Sequence, residues 1–188
     1  MVDEFSSFAR MPTPTFALHD LSELLKEAVF AQRVANPDID ITLAEPVSSV
    51  EVRADGRMIA QALTNVLKNA VEAVASRTSK SPDPPGRITA VIHETPTSVV
   101  IAIEDNGLGL PAKDRDRLTE PYVTTRDKGT GLGLAIVKRI LEDHGGELVL
   151  TDSTHGVGAR AILSIPSNSS DLSAGAVAPL NIEVTHGG

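Results

Sequence analysis

Residues 98–104, Ser-Val-Val-Ile-Ala-Ile-Glu, run through apolar side chains almost without interruption. A strand with one wet face alternates. One that barely alternates lies centrally in its sheet. Segments 39–45, 49–55 and 87–94 alternate as companion strands, and further strands are predicted near 147–151 and 158–165. Helical periodicity covers 20–32, 57–77 and 131–144. Strands and helices do not alternate strictly. That order favours an α+β two-layer sandwich, a mixed sheet covered on one face by helices, over a doubly wound sheet. With four Phe, one Tyr and no Trp, the core has to be aliphatic.

The predicted helices carry local signals. Asp20 opens the first as N-cap, with Glu23 three residues on in the manner of a capping box. Ile59, Leu63, Val66, Ala70 and Val74 line the inner face of the second. In the third, Leu132, Ala135, Ile136 and Ile140 face inward. Lys138 with Glu142 and Arg139 with Asp143 pair outside, and Gly145 closes the helix. Residues 1–14 read as the end of a helix stopped by two prolines, and 167–188 are small and polar, the composition of a disordered tail. The expected boundaries are 1–15, 16–166 and 167–188.

The totals exclude several functions. A net charge of −8 argues against a nucleic-acid partner, although local dipoles and a few cations still attract an anion. The absence of cysteine excludes disulfides and thiolate metal sites and fits a reducing cytoplasm. No apolar run approaches the roughly 18 residues of a membrane span.

Three constellations bear chemistry. Gly129, Gly131 and Gly133 lead directly into the third helix. Neither the P-loop nor the dinucleotide fingerprint fits this spacing. Glycine-rich backbone entering a helix N-terminus still offers N–H groups and a positive dipole end to an anion, with Arg126 and Lys128 just upstream. The plainer alternative is a tight turn. On the 57–77 helix, Gln61, Asn65, Lys68, Asn69 and Glu72 share one stripe. A solvated face is one reading. The other is a metal site, since amide oxygens are hard neutral ligands that Mg²⁺ accepts while keeping its waters and bridging phosphates. Asp105 ends the apolar strand before Asn106-Gly107. It is either the corner of a hairpin or a carboxylate placed to accept from an amino group such as that of adenine.

In this order, "TNVLKNAVEA", "EDNGLGL", "LTEPYVTTR" and "GTGLGLAIVKRILEDHGG" resemble the N, G1, F and G2 boxes of the ATP-binding catalytic domain of bacterial sensor histidine kinases. That domain shares a superfamily with gyrase, MutL and heat-shock chaperones. The resemblance spans about residues 20–166, and "VDEFSSFARMPTP" resembles the segment after the phosphoacceptor helices of NtrY-type nitrogen-regulation kinases.

The resemblance implies a protein-histidine kinase domain with ATP and Mg²⁺ as cofactors. Asn69 would hold the Mg²⁺, with Asn65 one turn earlier and Lys68 and Glu72 assisting. Asp105 would read the adenine amine, and Gly107 and Gly109 would admit base and sugar. Residues 110–128 would form a mobile lid in which Thr124, Thr125, Arg126 and Lys128 contact phosphate. Tyr122, Gly129, Thr130, Gly131, Leu132 and Gly133 complete the implied ATP site.

The implied partners are a histidine-bearing dimerisation domain, of which residues 1–15 would be the remnant, and a response regulator. The implied location is the cytoplasmic part of a membrane-anchored sensor. Two departures stand out. The F box has Pro121-Tyr122-Val123 in place of a phenylalanine pair. At position 65, hydrolysing relatives carry a glutamate base. An amide takes no proton from water, and losing a general base costs about 10²–10⁴-fold, which favours kinase over ATPase. A stand-alone ATPase switch and a non-catalytic binding module are the rival readings. The phosphoacceptor is not among His19, His93, His144, His155 and His186: His19 precedes an acidic residue but lacks the following proline and sits at the start of the first helix. His144 falls at a helix C-terminus, where positive charge is favoured.

Overall fold

The computed structural model describes residues 11–44, 48–113, 115–123 and 130–167. In chain order its elements are β1 (Ala17–Asp20), α1 (Leu21–Ala35), β2 (Asp40–Leu43), β3 (Glu51–Ala54), α2 (Gly56–Thr78), β4 (Arg87–Glu94), β5 (Ser98–Asp105), α3 (Gly133–Asp143), β6 (Glu147–Asp152) and β7 (Ala159–Pro166). The main sheet runs β2-β4-β5-β7-β6, parallel only at β2–β4, so β5 is its middle strand. Helices pack over one face, giving the α+β sandwich that the element order implies. Ile88, Ala90 and Ile92 of β4, Val99, Ile101 and Ile103 of β5, and Leu163 and Ile165 of β7 point to the helices and are buried. Against them lie Ile59, Leu63, Val66, Ala70 and Val74 of α2, Leu132 just before α3, and Ala135, Ile136 and Ile140 of α3, all buried.

Three local expectations are corrected. His19 lies in β1, not at the start of a helix; β1 pairs antiparallel with β3, His19 opposite Val52, in a two-stranded ribbon separate from the main sheet. Asp20 does cap α1, accepting from Ser22 N at 2.9 Å, but Glu23 turns to Lys26 (2.7 Å) instead of closing a capping box. The third helix starts at Gly133 and not at 131, because Gly131 has φ +69°, which no right-handed helix accommodates. Its C-terminus is as expected: Gly145 takes φ +69°, and Gly146 N donates to Leu141 O at 2.7 Å, a Schellman closure.

His144 departs from its expected role. It is buried, its Nδ1 lies 2.7 Å from Ile140 O, and its Nε2 accepts the Asp55 N–H at 2.9 Å. One ring nitrogen donates and the other accepts, so these bonds fit the neutral ring, not a charge on the helix end.

Two buried or half-buried carboxylates tie the chain's entry to the core. Asp55 caps α2 through Arg57 N (3.1 Å) and Met58 N (3.2 Å) and also accepts from Thr15 N (2.9 Å). Asp20 adds Ser49 Oγ (2.7 Å) and Val50 N (3.1 Å), pinning the start of β3 to the start of α1. Burial raises the pKa of both, but the donors outweigh it and hold both below the ordinary carboxylate range. Phe5, Phe8 and the segment 168–188 lie outside the described residues; Ser167 is buried and donates to Thr97 O at 3.0 Å.

Candidate functional site

The polar stripe of α2 divides. Asn65 and Asn69 are half-buried, whereas Gln61, Lys68 and Glu72 are exposed. Asn69 faces the first residue of α3: a Cβ added to Gly133 would lie 3.8 Å from Asn69 Nδ2, an ordinary contact. Among the described residues no neighbour therefore requires glycine at 133. The missing side chain leaves room over the amide stripe, which is what a ligand seated there needs. α3 also begins without a capping side chain: its N-cap residue is Leu132. Its first N–H groups and the dipole's positive end thus stand beside Asn69.

Gly107 is required by packing against α2. A Cβ there would come within 2.6 Å of the Ala73 backbone, so its absence makes room for α2. This seats the Asp105–Gly107 turn on α2 one helical turn beyond Asn69, about 6 Å along the axis. Asp105 is buried, and its Oδ1 accepts from Gly107 N at 2.8 Å and Ala159 N at 3.4 Å. Asn106 stabilises the turn from outside, accepting from Arg87 N (2.8 Å) and donating to Pro85 O (2.8 Å). Gly109 has φ +79° and abuts Gly158.

The connection after β5 is anchored at both ends. Arg115 pairs bidentately with Asp152 at the end of β6 (2.8 and 2.9 Å) and donates to Pro111 O. Further on, Tyr122 holds a left-handed φ of 65° and donates to Gly131 O at 3.0 Å; a Cβ on Gly131 would strike the Tyr122 carbonyl carbon. The Tyr122 ring is exposed. Thr130 Oγ1 accepts from Leu132 N at 3.4 Å. Leu132 belongs to the core, so any ligand contact there falls to its backbone. Thr124, Thr125, Arg126, Lys128 and Gly129 lie outside the described residues.

The structure thus sets Gly133 against Asn69 and the Asp105–Gly107 turn against Ala73 one turn further along α2, with Asn65 one turn before Asn69 and Lys68 and Glu72 exposed on the same helix. The donor set suits a magnesium nucleotide. Among the described residues no group of three His, Asp or Glu side chains is placed to hold a metal. A metal at Asn69 would owe most of its ligands to phosphate and water, the habit of Mg²⁺. Sequence reasoning missed Glu104, Asn106, Gly158 and Ala159. The Gly156-Val157-Gly158 spacing was the available signal, since glycine beside a strand marks close backbone approach.

The family described as "Histidine kinase-, DNA gyrase B-, and HSP90-like ATPase" matches residues 54–169. Nitrogen regulation protein NtrY of Azorhizobium caulinodans is 48% identical over 167 residues, 88% of this chain and 21% of that protein. An NtrY-like sensor histidine kinase of Rickettsia typhi is 38% identical over 148 residues, 79% of this chain and 24% of that protein. The chain therefore spans between a fifth and a quarter of the length of these relatives. Among solved structures, the mycobacterial sensor histidine kinase MprB superposes with a TM-score of 0.68 at 26% identity, over 81% of this chain and 98% of that one. Full-length ShkA in complex with AMPPNP gives 0.72 at 26% identity, over 88% of this chain and 35% of that one.

Proposed function

Since the chain belongs to the histidine kinase-, DNA gyrase B-, and HSP90-like ATPase family, we propose that it binds Mg-ATP and donates the γ-phosphoryl group to a histidine. Within the family it is the ATP-binding domain of an NtrY-type sensor kinase. The acceptor histidine belongs to a separate dimerisation segment, and a response regulator takes the phosphoryl group from it. The domain works in the cytoplasm, where ATP and the regulator are found; among the described residues no helix is long and apolar enough to cross a membrane.

The observation that carries this reading is the side-chain-free backbone of Gly133, which brings the start of α3, with no capping side chain, next to the Asn69 amide. Phosphate oxygens fit there, accepting from backbone N–H groups at the positive end of the helix. Asn69 would hold Mg²⁺, with Asn65 one turn away. When bound, Mg²⁺ supplies charge neutralisation across the phosphates. Asp105 accepts from the adenine amine. Asn65 offers no proton acceptor for water, so transfer to another group is favoured over hydrolysis.

The test is one reaction with γ-labelled ATP, Mg²⁺ and a separately prepared histidine-bearing fragment from the same kinase, following fragment label and free phosphate together. Acid-labile label on the fragment that vanishes with Asn69→Ala is the expected result. Free phosphate without labelled fragment identifies an ATPase instead. Bound nucleotide with neither product identifies a binding module.

A further inference from the structure

We propose that Glu104 is a positioning residue for base recognition, holding the β6–β7 turn against Asp105 from the opposite face of the sheet. This rests on the reading of Asp105 as the adenine acceptor.

Neighbouring residues of a strand point to opposite faces. Asp105 turns toward the helices and the candidate nucleotide site, and Glu104 toward the other side. There the Glu104 carboxylate is nearly enclosed, its side chain 16% exposed, and gathers the start of the β6–β7 turn. Its Oε1 accepts from Ser153 Oγ at 2.7 Å, Thr154 N at 2.6 Å and Thr154 Oγ1 at 2.9 Å. Arg160 Nε lies 3.9 Å from Oε2. Burial raises the Glu104 pKa, but the Ser153 and Thr154 donors outweigh it and lower the net value, so the carboxylate is charged at neutral pH. Three donors from two adjacent turn residues, all on one oxygen, fix where this turn leaves β6.

Where the turn comes back, it touches the candidate site. Gly158 lies so close to Asp105 that any Cβ would overlap the Asp105 carbonyl oxygen and press on Asn106 Cα at 3.0 Å. Gly158 O also stands 3.3 Å from where a Cβ of Gly109 would be. The next residue, Ala159, aims its N–H at Asp105 Oδ1. Two backbone donors, Gly107 N and Ala159 N, converge on that oxygen and set the rotation of the carboxylate. At 3.4 Å the second is long for an N–H···O bond, so a small retreat of the turn breaks it. Glu104 prevents that retreat. Selectivity for adenine requires a carboxylate in one orientation, because a guanine presents a carbonyl oxygen where adenine presents its amine. A carboxylate free to rotate loses that discrimination while leaving phosphate binding intact.

The experiment compares dissociation constants for ATP and GTP in the wild-type chain and in Glu104→Ala, Glu104→Gln, Thr154→Val and Asp105→Ala. Glu104→Ala is expected to weaken ATP about tenfold with GTP unchanged, the scale of one lost charge-assisted hydrogen-bond set. Glu104→Gln, which keeps a carbonyl acceptor for Ser153 and Thr154, should restore most of the ratio. If Glu104→Ala does not fold, Thr154→Val, isosteric and lacking the hydroxyl, carries the test with the same direction. Equal weakening of both nucleotides, or a lowered melting temperature with an unchanged ratio, overturns the proposal. If Asp105→Ala collapses the ATP-to-GTP ratio and the Glu104 and Thr154 variants do not, the clamp alone falls. If Asp105→Ala itself leaves the ratio unchanged, the adenine reading falls and the clamp with it.

Discussion

The backbone N–H of Asp55 donates to Nε2 of His144 at 2.9 Å, a bond between residues 89 apart that joins the N-terminus of α2 to the C-terminus of α3. These two helices carry the amides and the uncapped N–H groups of the candidate site. The bond lies at the far end of each from the point where Gly133 faces Asn69. Phe16 packs on the same imidazole, ring centres 5.1 Å apart, and Thr15 N reaches the Asp55 carboxylate, so the chain's entry closes over this junction.

Replacing His144 by Phe keeps the bulk and removes the acceptor. The buried Asp55 N–H is then unsatisfied, and stability should fall by about 1–3 kcal/mol. Urea unfolding at neutral pH measures this. A variant as stable as the wild type would show that the bond contributes nothing net.

Acid should destabilise the fold through Asp20, Asp55 and Glu104, whose folded pKa values are all lowered. A depressed carboxylate contributes stability that is present above its unfolded pKa, about 4, and is lost as pH falls through the folded value. Melting temperature should therefore drop below about pH 4 and the slope should be shallower in Asp20→Asn and Asp55→Asn. An unchanged acid slope in both variants would remove these carboxylates from the explanation.

Two glycines separate folding from binding. Gly107→Ala drives a Cβ into the Ala73 backbone and should destabilise the chain strongly. Among the described residues Gly133→Ala meets only Asn69, at 3.8 Å, and it sits in the first turn of α3, so stability should hold or rise by about 0.5–1 kcal/mol. The same change fills the space offered to phosphate, and ATP affinity should fall. Thermal melts with and without Mg-ATP distinguish the two cases.

Asn69→Ala should reduce ATP affinity about tenfold in the presence of Mg²⁺, close to 1.4 kcal/mol, and far less with the metal chelated. Titration calorimetry in both conditions reads the difference. Equal losses with and without metal would assign Asn69 to packing against α3 instead of to the metal.

Much of this was legible in one dimension. The unbroken apolar run at 98–104 placed β5 in the middle of the sheet, and the repeat from Ile59 to Val74 gave α2, which runs Gly56–Thr78. The ordered boxes pointed to the family. The spacing of Asn65 and Asn69 put both amides on one face of α2. Other features were not legible. The alternation of 49–55 announced a strand but not its partner, which is β1 in a separate ribbon. Asp55 read as the end of that strand, and only its position before Gly56 makes it a cap.

Periodicity, capping and glycine placement act over a few residues, because they reflect which faces of a local segment can be buried and which dihedral angles a residue tolerates. The amino-acid sequence by itself therefore determined the elements, the aliphatic core and the motifs of a nucleotide site. Tertiary structure decided which polar groups meet: Asp55 with His144, Glu104 with Ser153 and Thr154, Ala159 with Asp105. Each of those bonds joins residues some 50 to 90 positions apart. Its formation depends on the directions in which two packed elements present an N–H and a lone pair, and no local pattern of residues contains that geometry.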